Sequence, residues 1–460
     1  MSTHGADDAL TRLREVEREI FARRPEHSIE PTLDRISALA TLLGDPQRAC
    51  PVIHITGTNG KSSTARMIET LLRARGLRTG LFTSPHLSSV RERIRIDGEP
   101  VTAERFVAAH DDIDPYVRLV DERQPFRLSF FEVLAAMAFA AFADAPVDVA
   151  VVEVGLGGTW DATNIADGAI AVVTPVAIDH TAYLGNTLES IAGEKAGIIK
   201  PGAVAVLARQ PEAAAQVLLG RVAEVGAAVV REDAEFGVTS RELAVGGQVL
   251  AVKGLGGDYG DLLLPLFGEY QASNAACALA AVEAFSGPGA QGGGLDTELV
   301  RDAFAAMRAP GRLEAVRRSP VVLVDSAHNP AGMAAAMAAV TEAFAFGSLV
   351  AVLAVSADKD VAGILDEMEP VVSRLVVTCN SSQRSMPAQE LAEHAGSVFG
   401  PDRLHVASRL DDAIEVAVGL ADEAAAGERP GSAGVLVTGS VITAGEARVL
   451  LGTEATVDGP

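Results

Sequence analysis

The sequence predicts an α/β protein of two parallel-sheet units, the first carrying a small antiparallel insert. Short apolar runs, such as residues 147–154 and 435–438, have the composition of strands buried on both faces. Runs of this kind alternate with helix-length stretches in both halves of the chain. Between the halves, Met307-Arg308-Ala309-Pro310-Gly311-Arg312 interrupts a helical pattern with Pro-Gly and reads as a linker. The expected units are residues 1–309 and residues 310–460.

Taken in order, residues 1–50 read as one or two leader helices without evident chemistry. Val52, Ile53 and Ile55 form a buried strand that runs into Gly57-Thr58-Asn59-Gly60-Lys61-Ser62-Ser63. A helix follows, with Ala65, Ile68, Leu71 and Leu72 at helical spacing and Gly76 as its stop. Strand, glycine turn and helix start with Gly-Lys-Ser at the junction make a phosphate-binding loop. Backbone N–H groups and the helix N-terminus face an anion, and Lys61 adds a point charge. The usual first glycine is Ile55 here, with Gly57 two residues later. The ligand expected is ATP, and the first unit is accordingly P-loop ATPase-like.

Residues 79–83 form a second strand, and 91–101 a hairpin about Asp97-Gly98. Ser129 and Glu132 make a capping box ahead of an alanine-rich buried helix. Strands at 147–154, 169–174 and 204–208 follow, with a helix beginning near Thr187 between the last two. Residues 236–266 alternate and are glycine-rich, as an antiparallel insert would be. Asn274 lies early on the next helix. Beyond the linker, strands at 321–324, 349–355, 375–378, 404–406 and 435–438 alternate with helices, a Rossmann-like winding. The glycines 292–294 read as a loop, and the C-terminal tail as frayed.

Composition narrows the function. Hydrophobic residues make up 48% of the 460, which is globular rather than disordered. The net charge of −23 excludes nucleic acid as a partner, because no basic run offsets the repulsion of phosphate. Cys50, Cys277 and Cys379 lack zinc or redox spacing and read as buried fillers in a reducing compartment. The polar N-terminus is unlike a signal peptide, and the apolar stretch 130–143 contains Glu132 and is shorter than the ~18 residues of a membrane span. A cytoplasmic monomer without a membrane partner is expected.

Ser84, Glu153 and His180 fall at or just past the carboxyl ends of predicted parallel strands, where open sheets bind ligands. An acid beside a phosphate site is a natural magnesium ligand, since that cation takes oxygen. Asp325 ends a strand of the second unit, placed to hold a ribose hydroxyl or cap the helix opened by Asn329-Pro330. Arg312 in the linker is placed to reach phosphates from the opposite side. Lys195 alone reads as a surface cation.

The set TGTNGKSS (56–63), SPHL (84–87), SFFE (129–132), EVGLGGTWDATN (153–164), the block 178–200, YQASNA (270–275), PGR (310–312), DSAHNP (325–330) and TGS (438–440) resembles the bifunctional dihydrofolate synthase/folylpolyglutamate synthase family. The wider group is the Mur-type ATP-dependent amide ligases. The resemblance spans most of the chain and implies a reaction in the cleft between two domains. It implies that Gly57, Thr58, Asn59, Gly60, Lys61, Ser62 and Ser63 hold ATP phosphates, with Asn274, Arg312, Asp325 and His328 as further ATP contacts. Ser84 and Glu153 would hold one magnesium; Glu153, His180 and a carbamylated Lys195 would hold a second. Folate contacts fall on Ser129, Phe130, Phe131, Glu132 and Trp160. The implied catalytic set is Lys61, Glu153, His180 and Lys195, joining L-glutamate to dihydropteroate and to folate γ-carboxylates through an acyl phosphate.

The sequence departs from the family pattern at Ser62 and Ser326, where glycine is usual, at Thr159-Trp160, where Arg-Leu is common, and at Glu269-Tyr270. Three rival readings remain at this level. One is a folylpolyglutamate synthase without the dihydropteroate activity; the second is a Mur-type ligase of peptidoglycan precursors; the third is a nucleotide-dependent switch that binds a partner and does little chemistry. Against the second, the loop starts near Ile55 and leaves little chain for a separate domain for a nucleotide sugar.

Overall fold

The computed structural model describes residues 3–25, 30–287, 294–426 and 432–453. The first unit is an eight-stranded sheet in the order β4-β3-β2-β5-β1-β6-β7-β8. Its strands are β1 (Val52–Thr56), β2 (Thr79–Phe82), β3 (Ile94–Ile96), β4 (Glu99–Pro100), β5 (Val149–Glu153), β6 (Gly168–Val173), β7 (Val204–Leu207) and β8 (Ala228–Arg231). From β2 to β8 all pairings are parallel; β3 and β4 form the expected hairpin, antiparallel at one edge. All five residues of β1 and all five of β5 are buried, as central parallel strands require.

Side-chain alternation sends these strands into two cores. Ile53, Ile55, Val151 and Val172 pack against helices Lys61–Ala74 and Glu269–Ser286. Val52, Ala150 and Val152 face helices Thr3–Phe21, Ala103–Arg123 and Phe130–Asp144. The insert is a three-stranded antiparallel sheet, β9 (Gly237–Ala244), β10 (Gly247–Lys253) and β11 (Asp258–Leu264), with β10 in the middle.

The second unit is a six-stranded sheet ordered β12-β13-β17-β14-β15-β16. Its strands are β12 (Glu314–Arg318), β13 (Val321–Val324), β14 (Ser348–Leu353), β15 (Arg374–Val377), β16 (Leu404–Val406) and β17 (Ala433–Thr438). Five strands run parallel, as the apolar runs predict; β12 adds an antiparallel edge. The two units touch directly. Phe267 and Phe344 stack edge-on at 4.8 Å between centroids, and Arg241 pairs with Glu342.

Several features differ from expectation. Helix Ala103–Arg123 is the largest omission. Its buried Phe106, His110, Ile113, Val117 and Val120 have helical spacing, but an internal Pro115 and a polar outer face mask the period. Helix Val441–Leu450 and strand β12 are also additional. Only Cys277 is a buried filler; Cys50 and Cys379 are half-exposed, and all three are free. Residues 292 and 293 of the glycine cluster and the tail from 454 lie outside the described residues. No described helix is long and apolar enough to cross a membrane.

The second leader helix is tied to helix Phe130–Asp144 by a buried ion pair. Arg35, on helix Asp34–Leu42, donates Nε to both oxygens of Glu132, at 3.0 and 3.2 Å. Both side chains are about one-twentieth exposed, at 6% and 5%. Glu132 also accepts the Ser129 N–H at 2.7 Å, completing the capping box of helix Phe130–Asp144. Glu132→Ala would strand the Arg35 guanidinium without a counter-charge, with an expected loss of about 3–5 kcal/mol. Chemical denaturation reads this directly. The double variant Arg35→Met/Glu132→Leu should recover most of the loss, and an unchanged midpoint in Glu132→Ala would refute the account.

Candidate active site

The phosphate loop joins β1 to helix Lys61–Ala74, and two of its glycines are enforced by the fold. Gly57 has φ 147°, and a Cβ there would collide with the Thr174 side chain and carbonyl. Gly60 has φ 87° and caps the helix, and a Cβ would strike Asn274 Oδ1 at 2.5 Å. Thr58 fastens the loop to the segment after β6: its N–H meets the Pro175 carbonyl, and its hydroxyl the Ala177 backbone, all at 3.0 Å. Asn59 reaches across to Asn329 of the second unit at 3.1 Å.

Lys61 folds back over its own loop, donating to Gly57 O at 3.1 Å and Thr58 O at 3.0 Å. Lys195, on helix Leu188–Ala196, is buried and donates to the same Gly57 carbonyl at 2.8 Å. Burial and the nearby Lys61 charge pull the Lys195 amine down to about 7. Lys195 is therefore not the surface cation that its sequence context suggests. Both ammonium groups line one cavity with Gly57, Thr58, Gly155, Gly157, Asp179 and His180.

Glu153 lies behind this cavity at the end of β5. It accepts Ser62 Oγ at 2.8 Å and the Ser84 N–H at 3.2 Å, so it joins the phosphate loop to the turn after β2. Burial raises its pKa, and the Lys61 charge and these hydrogen bonds oppose the rise. The adjoining loop is held by Asp161, which accepts from the backbone of Leu156 at 2.9 Å and Thr163 at 3.0 Å.

His180 has a left-handed backbone (φ 51°) and stands at the entrance of the short helix Thr181–Leu184. Its neighbour Asp179 was not singled out by the sequence, yet it is the junction between the two units. Asp179 accepts Lys359 Nζ at 2.6 Å and Asn329 Nδ2 at 2.9 Å, and faces His328 Nε2 at 3.6 Å. Burial alone would raise its pKa, but the His328 hydrogen bond and the charges of His180, His328 and Lys359 hold it far below the usual range. Lys359, between two acids in Asp358-Lys359-Asp360, is likewise not singled out by the sequence; its side chain is buried against Asp179. Only pairing across the cleft could reveal it.

The remaining predicted residues divide. Asn274 is buried against Gly60 and bonded to Gln271 at 3.1 Å. Arg312 bonds to Gly311 O and Ser326. Asp325 accepts the Leu313 and Ala327 N–H groups, each at 2.8 Å, and His328 Nδ1 meets Ser326 O at 2.9 Å. Glu132 and Phe130 are structural rather than ligand-facing. Arg35 and Ser129 occupy the Glu132 carboxylate, and Phe130 is buried between Phe21, at 5.1 Å between centroids, and Arg93. Ser129 is the helix cap. Phe131 remains half-exposed, with its ring against Gly155. Trp160 is half-buried and packs beside Gly157 and Leu184. Among the described residues, no three His, Cys, Asp or Glu side chains gather as a metal set.

Comparison with known proteins extends this picture. Residues 128–282 match the Mur ligase middle domain, and residues 311–441 match the Mur ligase, glutamate ligase domain. The chain is 52% identical over 465 aligned positions to dihydrofolate synthase/folylpolyglutamate synthase of Mycobacterium tuberculosis, covering 97% of this chain and 95% of that one. It is 34% identical to the Escherichia coli protein of the same name, covering 80% and 82%. Folylpolyglutamate synthase of M. tuberculosis complexed with ADP superposes with a TM-score of 0.93 at 51% identity, covering 97% of this chain and all of that one. An E. coli relative in complex with DHPP and ADP superposes at 0.79 and 31% identity, covering 93% and 95%. Fold, loop and relatives agree: the chain belongs to the dihydrofolate synthase/folylpolyglutamate synthase family of Mur-type ligases.

Proposed function

We propose that this chain joins L-glutamate by an amide bond to dihydropteroate and to the γ-carboxylate of folates. It is an ATP-dependent acid–amino-acid ligase, and ATP is its co-substrate. The observation that carries the reading is the convergence of Lys61, Lys195 and His180 on one cavity with Glu153 behind it. The γ-phosphoryl of ATP passes to the acceptor carboxylate, and the amine of glutamate then displaces phosphate from the acyl phosphate. This is phosphoryl transfer by positioning and electrostatics, without a protein nucleophile.

Each residue has a share in that work. The backbone of Gly57, Thr58, Asn59 and Gly60, with the Ser62 and Ser63 hydroxyls, presents donors to the phosphates. Lys61, fixed over the loop, neutralises their charge. Glu153, hydrogen-bonded to the Ser62 hydroxyl and the Ser84 backbone, would with the Ser62 and Ser84 hydroxyls hold one magnesium ion, which takes oxygen. Glu153, His180 and a carbamylated Lys195 would hold a second. Bound magnesium supplies charge neutralisation to the transferring group. Asn274, Arg312, Asp325 and His328 are assigned to the nucleotide, and Phe131 and Trp160 to the pteridine side. Residues 1–309 and 310–460 act as two domains about the cleft, in a cytoplasmic monomer.

Carbamylation suits the environment of Lys195. The neutral amine adds to CO2, forming a C–N bond and releasing one proton, and the buried cation becomes an oxygen ligand. An amine near 7 is neutral above that pH and protonated, hence unreactive, below it.

Three outcomes are expected. With Mg-ATP and L-glutamate, purified protein should release ADP when given either dihydropteroate or a reduced folate monoglutamate. Release with the folate alone would restrict it to chain extension, and release only with a muropeptide precursor would overturn the folate assignment. Glu153→Gln should lower kcat by about two to three powers of ten, as loss of a charge-stabilising group does; near-normal kcat would remove Glu153 from the metal site. Protein stripped of CO2 should lose turnover and recover it with bicarbonate, faster at pH 8 than at pH 6. Indifference to CO2 would exclude the carbamate.

A further inference from the structure

A second cavity opens between the phosphate-loop helix, the turn after β2 and the linker at 310–312, and Lys195 is not in its wall. Its walls carry Ser62, Ser63, Arg66, Glu92 and Arg312, closed by Leu87 and Val441. Arg66 has no role in the reading above. It lies one helical turn beyond Ser62 on helix Lys61–Ala74, and helical side chains lean toward the helix N-terminus. Its guanidinium therefore reaches back toward the two serine hydroxyls.

What distinguishes Arg66 is the lack of a partner. Among the described residues, its guanidinium makes no hydrogen bond or ion pair. Arg312, across the cavity, bonds only to the Gly311 carbonyl and the Ser326 hydroxyl, and to no acid. The one carboxylate in the wall, Glu92, is already engaged. It accepts the N–H groups of Leu87, Ser88 and Ser89 at 3.0, 3.0 and 2.9 Å. Burial and the nearby Arg95 pull Arg66 down to about 10, still charged at neutral pH. Two unpaired guanidiniums flank two hydroxyls in a chain whose net charge is −23. Such a cavity is complementary to an anion.

We propose that Arg66, facing Arg312, binds the α-phosphate of the nucleotide. This rests on the ATP reading of the loop. Lys61 and the loop backbone serve the outer phosphates, and the Ser63–Arg66 side of the same helix lies away from Lys61. A fork of N–H donors on each flank suits a phosphate better than a lone ammonium does.

The test is nucleotide binding by the full chain. Arg66→Gln should weaken ADP and the non-hydrolysable AMPPCP by the same factor, about tenfold or more, because both carry an α-phosphate. KM for L-glutamate and for folate should stay unchanged, and Arg66→Lys should restore part of the affinity. The thermal midpoint without nucleotide reports whether each variant folds; if Arg66→Gln does not, Arg66→Lys alone must show the common loss for ADP and AMPPCP. Unaltered nucleotide affinity overturns the proposal, as does weakening of AMPPCP but not ADP. A rise in KM for glutamate or folate alone would make the cavity a carboxylate site and also overturn it. Failure of the unaltered protein to bind ADP would instead remove the nucleotide reading itself.

Discussion

A buried carboxylate at the end of a central strand sets the geometry of this site. Glu153 sits where β5 stops, and its two oxygens hold Ser62 of the phosphate loop and the backbone of Ser84. In a parallel sheet the carboxyl ends of neighbouring strands open on the same side. β1, β5 and β2 are adjacent, so a single acid on the middle strand touches the loops that follow both neighbours. Burial disfavours its charge and raises its pKa; Lys61 and two donated hydrogen bonds oppose that rise in part. Removing that acid would free two loops at once, which is why the position serves both structure and chemistry.

The cleft is closed by a second acid of the opposite character. Asp179 is charged strongly and shared among Lys359, Asn329 and His328, all from the second unit. Its neighbour His180 lines the cavity on the first unit. The contact between units thus ends one residue from that cavity wall. A shift of the second sheet relative to the first would be felt at His180 through a single peptide, without any long relay.

Much of this could be read from the chain. The strands follow from apolar runs because central parallel strands bury both faces, so β1 and β5 announce themselves without alternation. Gly57 and Gly60 mark the loop because their backbone angles exclude other residues. Local signals end there. Helix Ala103–Arg123 escapes because Pro115 breaks its pattern, and its one-sided burial appears only once packed. The capping box of Glu132 is legible locally, but the folate contact comes from the family resemblance, and its ion-pair partner Arg35 is 97 residues away. Asp179 and Lys359 are 180 residues apart, and neither has a meaning until the cleft brings them together.

Charge supplies the last step. Lys61, Arg66, Lys195 and Arg312 lie about one helix start within a strongly acidic chain, and among the described residues none of them has a carboxylate within ion-pair distance. Elsewhere among the described residues many arginines meet acids, as Arg384 does with Asp358 at 2.5 Å and Arg35 with Glu132 at 3.0 Å. Burial costs such cations solvation, and Lys61 and Lys195 recover only part of it from the backbone carbonyls of the loop. The lowered amine of Lys195 is the visible sign of that cost. A polyanion at the mouth of the helix would offset that cost for Lys61, Arg66 and Arg312 together.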